Sequence, residues 1–569
     1  MKKIFLSFII LATAVACTSD GLEKEPALMV TETISGTYCP ATKATIADKD
    51  ASFKWSVGDN IAVHVSNGDS HIYVSTSGEG GASKAAASAS FTVTYESGYS
   101  RDAFAVFPST IVTASAANYG QSGHTLDVTL PSTYTLAQVQ GEVSPCPMIA
   151  TNTESSTTWD FYQLCGLLRL TMNSIPPSTK RLEIDFDGKK VWGDFSIADP
   201  TPGSSIATSV DDDHDVITIT NSGNTFYSGW GDGKVFNIPL PVGTYTNITV
   251  TAYNALSGGD AVLTVTRPFA YTASNEYGTK RTASFPVFSI NSDRSKRVIF
   301  APGNLQATTT DLGANWTWSF AEHQYDFIGN GGGNTKINGK GTLSENGTVD
   351  LFGWSTENTA FGIYNSKNCN ALGVNDYKGT FVDWGTIKTF GGITYPDNYW
   401  ETLSSGEGDN SELWYMMRIR QTNATVNNIA DARFTMATIN TGGTSVNGII
   451  LFPDYYEGPL VSTEDITWGS RINDFSKYPG WGGTSCKIAG WKTLEAVGCV
   501  FLPAAGTREG VSVTFGESCY ASSTNGNNNY QTGYYPLSFS NNINNYNVYW
   551  NLLKYRYQGA SVRLAHEVQ

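Results

Sequence analysis

The sequence has 569 residues, with 36 Lys and Arg against 51 Asp and Glu, so its formal net charge at pH 7 is −15. Because nucleic-acid binding requires clustered Lys and Arg against the phosphates, this acidic balance argues against a nucleic-acid partner. Only 15% of the residues are charged, while Gly numbers 57, Tyr 29 and Phe 27, a composition that favours strands and turns over helices. At about 150 residues per domain, the length predicts three or four domains.

The first 16 residues have the pattern of a bacterial export signal. Lys2 and Lys3 precede the apolar run from Ile4 to Ala12, and small residues lead up to Cys17. The apolar run is shorter than the roughly 20 residues that a transmembrane helix needs. Residues 1–16 are therefore predicted to be a signal peptide. No later stretch is long and apolar enough to cross a membrane, so the rest of the chain is expected to be soluble.

The small residues before Cys17 resemble a lipobox, in which the cysteine thiol is acylated and the preceding peptide is removed. Ala14 departs from that pattern, because leucine is commoner there. The resemblance implies a lipoprotein held at the outer membrane or cell surface through a lipid on Cys17. An ordinary cleaved signal, followed by Cys17 by chance, is the alternative. Residues 17–45 are polar with little periodicity and are predicted to be a tether.

Seven further cysteines follow Cys17, and an odd number cannot all pair within the chain. None lies in a CxxC spacing and no histidine-rich neighbour completes a zinc set, so no metal site is predicted. The expectation is buried thiols with one or two disulfides at most. The seven are Cys39, Cys146, Cys165, Cys369, Cys486, Cys499 and Cys519.

Apolar and polar residues alternate repeatedly from about residue 46 to 290, as in strands with one face in a core. Asn67-Gly68, Asp187-Gly188 and Asp232-Gly233 supply the turns that antiparallel sheets require. We therefore predict a mainly β chain that begins with two β-sandwiches in series, over residues 46–155 and 156–290. The clearest alternating sets are Ile61, Val63 and Val65; Leu126, Val128 and Leu130; Leu182, Ile184 and Phe186; and Ile248, Val250 and Ala252.

The composition of the sequence changes from about residue 296, where Trp, Gly and Asn become more frequent. Helices are predicted over Glu412 to Arg420 and over Ile488 to Ala496, with Gly498 placed to end the second one. Residues 296–569 are therefore predicted to be a separate α+β domain.

The segment from Phe53 to Val63, FKWSVGDNIAV, resembles the opening of fimbrillin-like proteins, the fimbrial subunits of Bacteroides-type bacteria. Further landmarks of that family follow in the same order. They are Phe104–Pro108, Leu130-Pro131, Pro147–Ala150, Leu167–Leu170 and Pro239–Tyr245.

This resemblance implies a mode of assembly. Fimbrillins are lipoprotein precursors from which a trypsin-like protease removes a leading segment, and a strand from a neighbouring subunit then fills the exposed groove. Such strand addition uses main-chain hydrogen bonds for affinity and side-chain pockets for register. The corresponding cut in this chain follows Lys43 and leaves Ala44 as the new first residue.

The C-terminal region resembles a domain of secreted Bacteroides-type proteins, with the C-type-lectin-like fold that formylglycine-generating enzymes share. The resemblance implies that the two ends of the domain, at 298–306 and 560–565, pair in one sheet. The segments that carry it are Phe300–Gln306, Phe320–Tyr325, Asp350–Trp354, Asp383–Gly385, Phe501–Gly506 and Ser561–Leu564.

Sequence motifs for catalysis or metal binding are missing. The cysteine pair and Arg-Gly-Gly-Ser strand of formylglycine-generating enzymes are not visible, nor are the calcium signatures of sugar-binding C-type lectins. No HExxH, GxSxG or P-loop occurs. The acidic run Asp211–Asp215 is interpreted as a solvated turn, Cys499 as a core residue, and the histidines share no motif. We therefore expect no enzyme, no cofactor and no metal.

Two groups of aromatic residues are candidates for ligand contact, because aromatic faces stack on sugar rings and nearby amides hydrogen-bond hydroxyls. The alternative is that these rings pack beneath long loops. The candidates are Tyr530, Tyr534, Tyr535, Tyr546 and Trp550 in an Asn-rich stretch, and Tyr455, Tyr456 and Trp481.

Together these features predict a cell-surface, lipid-anchored fimbrial subunit whose C-terminal domain binds a glycan or protein on a host or microbial surface. Its partners in assembly would be other fimbrial subunits, joined by donor-strand addition. Because Phe285 to Ser295 runs into a further domain, the subunit would accept a strand without donating one, as a tip adhesin does. The alternatives are a surface glycan-binding lipoprotein that never polymerises and, third, an enzyme of the formylglycine-generating type.

Overall fold

Strands dominate the computed structural model, which confirms the prediction of a mainly β chain. Among the residues it describes, no helix is long and apolar enough to cross a membrane. The described residues are 28–38, 55–56, 58–68, 70–76, 88–113, 124–140, 145–152, 156–273, 278–337, 342–363, 377, 379–395, 400–406, 411–418, 433–469, 484–526, 533–534, 536–540, 548–550 and 552–569.

Strands that lie between residues 29 and 163 supply most of the first unit. They are β1 (Met29–Tyr38), β2 (Ala62–Asn67), β3 (Ser70–Ser75), β4 (Ser88–Glu96), β5 (Ser100–Phe107), β6 (Thr125–Leu130), β7 (Thr133–Thr135), β8 (Met148–Thr151) and β9 (Thr158–Gln163), with the short helix α1 (Leu136–Val139) after β7. A seven-stranded sheet runs in the order β3-β2-β5-β8-β9-β1-β4, and its two outer strands approach each other. Aromatic and aliphatic side chains, including Trp55, Phe91 and Phe161, form the core that it encloses.

The second unit is built from strands that lie between residues 166 and 284. They are β10 (Gly166–Asn173), β11 (Arg181–Asp185), β12 (Gly193–Ala198), β13 (Val216–Thr220), β14 (Lys234–Leu240), β15 (Gly243–Tyr253), β16 (Ala261–Ala273) and β17 (Gly278–Ser284). A three-stranded sheet, β14-β10-β17, and a five-stranded sheet, β16-β15-β11-β13-β7, share a core that contains Leu168, Ile184 and Phe236. The four predicted alternating sets lie in β2, β6, β11 and β15 or directly beside them.

The predicted boundary between residues 155 and 156 is wrong. β9 lies beyond it yet belongs to the first sheet, whereas β7 lies before it yet pairs in parallel with β13 of the second unit. β6 pairs with β12, and their ribbon shares a second core with the first sheet. Alternation reveals that a strand has a buried face, but it does not reveal which strand its backbone will bond to, and the boundary depended on that pairing.

The C-terminal region contains many short strands and two helices. They are β18 (Phe288–Ser289), β19 (Arg297–Phe300), β20 (Leu305–Thr309), β21 (Thr317–Phe320), β22 (Gly347–Val349), β23 (Thr389–Phe390), β24 (Ile393–Thr394), α2 (Glu412–Arg418), β25 (Phe434–Asn440), β26 (Ser445–Leu451), β27 (Ile466–Thr467), β28 (Thr484–Lys487), α3 (Ile488–Ala496), β29 (Val500–Pro503), β30 (Thr507–Glu509), β31 (Ser512–Thr514), β32 (Glu517–Tyr520), β33 (Gly533–Tyr534), β34 (Leu537–Ser540), β35 (Val548–Tyr549), β36 (Lys554–Tyr555) and β37 (Ala565–Glu567). The positions of α2 and α3 confirm both predicted helices, and Gly498 follows α3 at a φ of 86°.

The two ends of this region pair with each other, as predicted. β19 lies between β18 and β37 and is antiparallel to both. Because β18 belongs to this sheet, the domain begins near Phe288 and not at residue 296, and the predicted second sandwich ends earlier than residue 290. Val568, just beyond β37, packs in the core of the second sandwich.

The thiols that the structure describes are buried and free, as expected. Cys499 lies in an apolar core beside α3, which confirms its interpretation as a core residue. Burial raises the pKa of each of these thiols, so they are poor nucleophiles at neutral pH. The five are Cys146, Cys165, Cys486, Cys499 and Cys519.

A buried arginine joins the second sandwich to the C-terminal domain. The guanidinium of Arg297 donates to the two carboxylate oxygens of Asp232 at 2.7 and 3.1 Å and to the Ser174 hydroxyl at 2.8 Å. Asp454 lies 3.9 Å from Nε of Arg297 and also accepts from Arg433 at 3.0 Å. Burial alone would raise the pKa of Asp232, but the hydrogen bonds and charge of Arg297 hold it below its ordinary value. The contact between the two units is therefore a network of paired charges around a buried arginine, with Asp232 partly buried.

Replacing Arg297 with Met retains much of the side-chain volume but leaves Asp232 without its cation. Because a partly buried charge without its partner is costly, we expect the free energy of unfolding to fall by about 2–3 kcal/mol. Urea denaturation followed by tryptophan fluorescence measures the change. The control is Lys296→Ala at the exposed neighbouring position, which should change stability by less than about 0.5 kcal/mol. Equal stability of R297M and the wild type would contradict this account of the network.

Glu401 gives the C-terminal domain a specific pH dependence. Burial, followed by the charges of Glu412, Glu567 and Asp383, raises its pKa to about 7. The folded state therefore favours the protonated carboxyl of Glu401. Its contribution to the stability of the fold is fully present below the ordinary pKa of a glutamate and is lost as the pH rises through about 7. We expect Glu401→Gln to increase stability at pH 8 by about 1 kcal/mol, after allowance for solvent screening, and to leave it unchanged at pH 4.

Thermal unfolding at a series of pH values between 4 and 8 measures this effect of E401Q. Glu322→Gln, at an exposed position in the same domain, is the control and should leave the profile unchanged. A profile of E401Q that runs parallel to the wild type throughout would contradict the prediction.

Candidate functional site: the leading strand

The first strand of the chain lies in the interior of the first sheet. β1 pairs antiparallel with β4 along nearly its whole length, and its C-terminal residues pair in parallel with β9. The prediction that residues 17–45 form a tether is therefore wrong for Met29–Tyr38. Because both neighbours hydrogen-bond to β1, the sheet would have an internal gap without it.

Alternate side chains of β1 face the core of the first unit. Ile34 is completely buried, and Val30 packs against the same core. Thr31 and Thr33 are exposed on the opposite face. Glu32 interrupts the apolar set on the inner face, which explains why the sequence shows little periodicity here. The β-branched residues of this segment were the signal that could have identified a strand.

Glu32 is held by a hydrogen-bonded network in the partly buried interior of the sheet. Its carboxylate accepts from Nε of Arg101 at 2.7 Å and from the hydroxyl of Tyr95. Burial and the contact with Glu32 raise the pKa of Tyr95, so the phenol remains protonated. The guanidinium of Arg101 lies over the ring of Trp159, 5.3 Å from its centroid. β1 therefore supplies the anion that this buried cation requires.

Gly36 fits β1 against a group of aromatic rings. A Cβ atom at this position would lie 2.9 Å from the Phe91 ring and 3.1 Å from the Phe161 ring. Both rings contact Trp55 edge to face, with centroids 5.0 and 5.2 Å apart. A strand that occupies this slot therefore needs a glycine at one defined position, which fixes its register.

Trp55 and the turn after it prepare the start of β2. Trp55 is buried, with only 3% of its surface exposed, and Gly58 has a φ of 90°. Asp59 closes the turn, because its carboxylate accepts from the backbone N–H of Ser56 at 2.6 Å. This segment is thus a core anchor and a turn that lead into β2.

Several predicted ligand contacts belong to the core instead. Tyr534, Trp550 and Tyr456 are 1%, 6% and 6% exposed, so they cannot present a ring to a sugar or a partner. Tyr455 is half-buried and accepts a hydrogen bond from Arg294 at 3.2 Å. The prediction of ligand contact is wrong for these three rings, because they are packed in the cores of the domain. Aromatic composition does not distinguish the two cases, because large rings contribute strongly to both cores and interfaces.

The remaining predicted site residues lie outside the described residues. They comprise the predicted lipidation site, the predicted protease cut and four aromatic candidates. They are Cys17, Lys43, Ala44, Tyr530, Tyr535, Tyr546 and Trp481.

The acidic run before β13 forms a turn, as the sequence analysis interprets it. Asp211 accepts from the backbone N–H of Asp213 at 3.1 Å, and its carboxylate lies 2.9 Å from Nδ1 of His214. This contact with His214 is the main reason that the pKa of Asp211 is lowered. The carboxylate is fully accounted for by contacts within the turn.

The solved structures that are similar to this chain include two that are each described as a "putative cell adhesion protein". The one from Bacteroides ovatus is 14% identical with a TM-score of 0.26, over 44% of this chain and 91% of that chain. The one from Bacteroides fragilis is 12% identical with a TM-score of 0.22, over 51% of this chain and 96% of that chain. Comparison with protein-family models and with curated proteins finds no match. Because these identities and TM-scores are low, function has to be inferred from the geometry of this chain.

Shortening Ile34 tests how much β1 contributes to the fold. Ile34→Ala removes a completely buried side chain from the core, so we expect the free energy of unfolding to fall by about 2–4 kcal/mol. Thr33→Ala, on the exposed face of the same strand, is the matched control and should lie within about 0.5 kcal/mol of the wild type. Chemical denaturation measures both. If I34A were as stable as T33A, β1 would not be an integral strand of the sheet.

Proposed function

We propose that this chain is a cell-surface adhesin that joins a fimbrium as a strand acceptor, after proteolytic removal of its leading segment. One observation carries the proposal. β1, which lies inside the first sheet, precedes Lys43 in the sequence. A cut after Lys43 would leave β1 attached only by non-covalent contacts, and a strand from another subunit could then replace it.

The slot occupied by β1 has the properties that strand exchange requires. β4 and β9 present backbone hydrogen-bonding groups on both sides, which favours any extended segment. The incoming strand is selected by its side chains: an aliphatic residue at the place of Ile34, a glycine two positions later, and an acid to pair with Arg101. These requirements make the slot specific in register as well as in partner.

The segment after the second sandwich favours acceptance without donation. Phe285 and Val287 are completely buried, and β18 pairs with β19. Just before them, the hydroxyl of Ser284 donates to Glu457 of the C-terminal domain at 2.9 Å. This segment is held by its own chain and is not available to a neighbour. A subunit that accepts only would lie at the tip, where its C-terminal domain can meet a glycan or protein on another surface.

The proposal includes a lipid anchor on Cys17 before assembly and no enzymatic activity. Cys17 follows small residues that resemble a lipobox. The candidate contacts that remain are Tyr455 and the predicted aromatic residues that lie outside the described residues. They are Tyr530, Tyr535, Tyr546, Trp481 and the half-buried Tyr455.

The experiment combines limited trypsin treatment with peptide exchange. The full chain is cut and its new N-terminus determined by mass spectrometry, and a fluorescent peptide with the sequence of residues 28–38 is then added. We expect a cut after Lys43 and incorporation of the peptide into cut chains only, because the covalently attached β1 competes effectively in the intact chain. Light scattering should show that the cut chain remains monomeric, since it accepts without donating.

Two controls make the result specific. The Lys43→Gln chain should not be cut at this position, and a peptide carrying Gly36→Leu should not enter the slot because of the aromatic rings beside it. Self-assembly of the cut chain into polymers would contradict acceptance without donation. A chain that is never cut in this region, or that takes up no peptide, would instead favour a surface glycan-binding lipoprotein that does not polymerise.

A further inference from the structure

Two histidines that share no sequence motif meet on one face of the first sheet. In the hairpin of β2 and β3, His64 lies opposite Tyr73 and His71 lies opposite Ser66. Both histidines therefore project from the same face, and their ring centroids are 5.5 Å apart. The hairpin creates a pair of imidazoles that the linear sequence does not reveal.

An irregularity in the adjacent strand adds a carboxylate to this pair. The register between β2 and β5 shifts around His64, where β5 carries extra residues. Such bulges re-aim side chains. Asp102 lies in the bulge, with Oδ2 2.6 Å from Nδ1 of His64 and Oδ1 accepting from the Ser66 hydroxyl at 3.0 Å.

The three side chains form a compact group of metal-ligating atoms. Each offers one ligand atom, and these atoms all lie within 4.8 Å of one another. His64 is completely buried, whereas the Asp102 side chain is 20% exposed, so the group can be reached from solvent. Nδ1 of His71 is buried and forms no hydrogen bond with the described part of the chain. Hydrogen bonds within the protein therefore satisfy the carboxylate of Asp102 but not the buried Nδ1 of His71.

We propose that His64, His71 and Asp102 bind a divalent transition metal ion of the Zn²⁺ class. Two imidazoles and one carboxylate suit Zn²⁺ and its neighbours, whereas Ca²⁺ and Mg²⁺ prefer oxygen ligands alone. Ligands at about 2.1 Å from a tetrahedral ion lie about 3.4 Å from each other. The ion would replace the hydrogen bond between His64 and Asp102 by two metal bonds, with a small rotation of the partly exposed carboxylate.

This ion would join the hairpin to its neighbour in the sheet. His64 and His71 belong to β2 and β3, and Asp102 belongs to β5, so one ion would link three strands at the end opposite β4 in the sheet order. Three protein ligands leave a fourth position for water or for a group from a binding partner. The proposal is independent of strand exchange, because its ligands lie on β2, β3 and β5, and β1 pairs with β4 and β9.

Isothermal titration of the full chain with ZnCl₂, after treatment with EDTA and dialysis, tests the proposal. We expect a site of about one ion per chain whose affinity falls at least tenfold in His71→Ala and in Asp102→Asn. His124→Ala is the matched control, because His124 also lies beside a carboxylate, that of Asp199 at 3.6 Å, but outside the group. It should retain the affinity of the wild type.

Circular dichroism of each variant separates loss of a ligand from loss of the fold. Asp102→Asn preserves the shape of the side chain, so weaker binding with an unchanged spectrum supports the proposal. Cobalt provides a readout that needs no variant: Co²⁺ bound by the wild type should show the intense visible absorption of a four-coordinate site. A spectrum of hydrated Co²⁺ alone, or zinc affinity unchanged in both variants, would overturn the proposal.

Discussion

The fold of the first unit depends on a strand that the chain supplies from its leading segment. A sheet interior cannot leave the N–H and C=O groups of two strands without partners, because each buried unpaired group costs about 1–3 kcal/mol. β4 and β9 both require a strand between them, and the aromatic core beneath requires that strand to carry a glycine at one place. Removal of the leading segment without a replacement is therefore energetically unfavourable. Under the proposed function, the departure of β1 and the entry of a new strand would therefore have to be coupled.

Much of the fold could be predicted from local patterns, and the failures have a common cause. The alternation at Ile248, Val250 and Ala252 located β15, and the apolar run before Gly498 located α3 with its bounds. The division between the sandwiches failed because β7 and β9 cross it to reach their partners. Pairing between distant strands is decided by packing of whole sheets, which no window of sequence contains.

The candidate sites show the same limit at the level of side chains. β1 could not be predicted as a strand because Glu32 breaks its apolar alternation. An acidic residue on an inner face is explained only by its partner Arg101, which lies on another strand. Tyr534 and Trp550 were placed on a surface by composition, although the cores beside them accommodate both rings. His64 and Asp102 come together through a bulge, and the sequence gives no indication that β5 carries extra residues there.

The docking of the C-terminal domain has a consequence for how such proteins diversify. Arg297 belongs to the incoming domain, whereas its main partner, Asp232, belongs to the sandwich that receives it. Val568 likewise leaves its own domain to fill a place in the sandwich core. Genetic recombination that exchanged residues 288–569 for another ligand-binding module would succeed only where the donor sequence brought a cation and an apolar terminal residue to these positions. The surface of the second sandwich therefore has a defined charge and shape, and only domains that match both can dock on it.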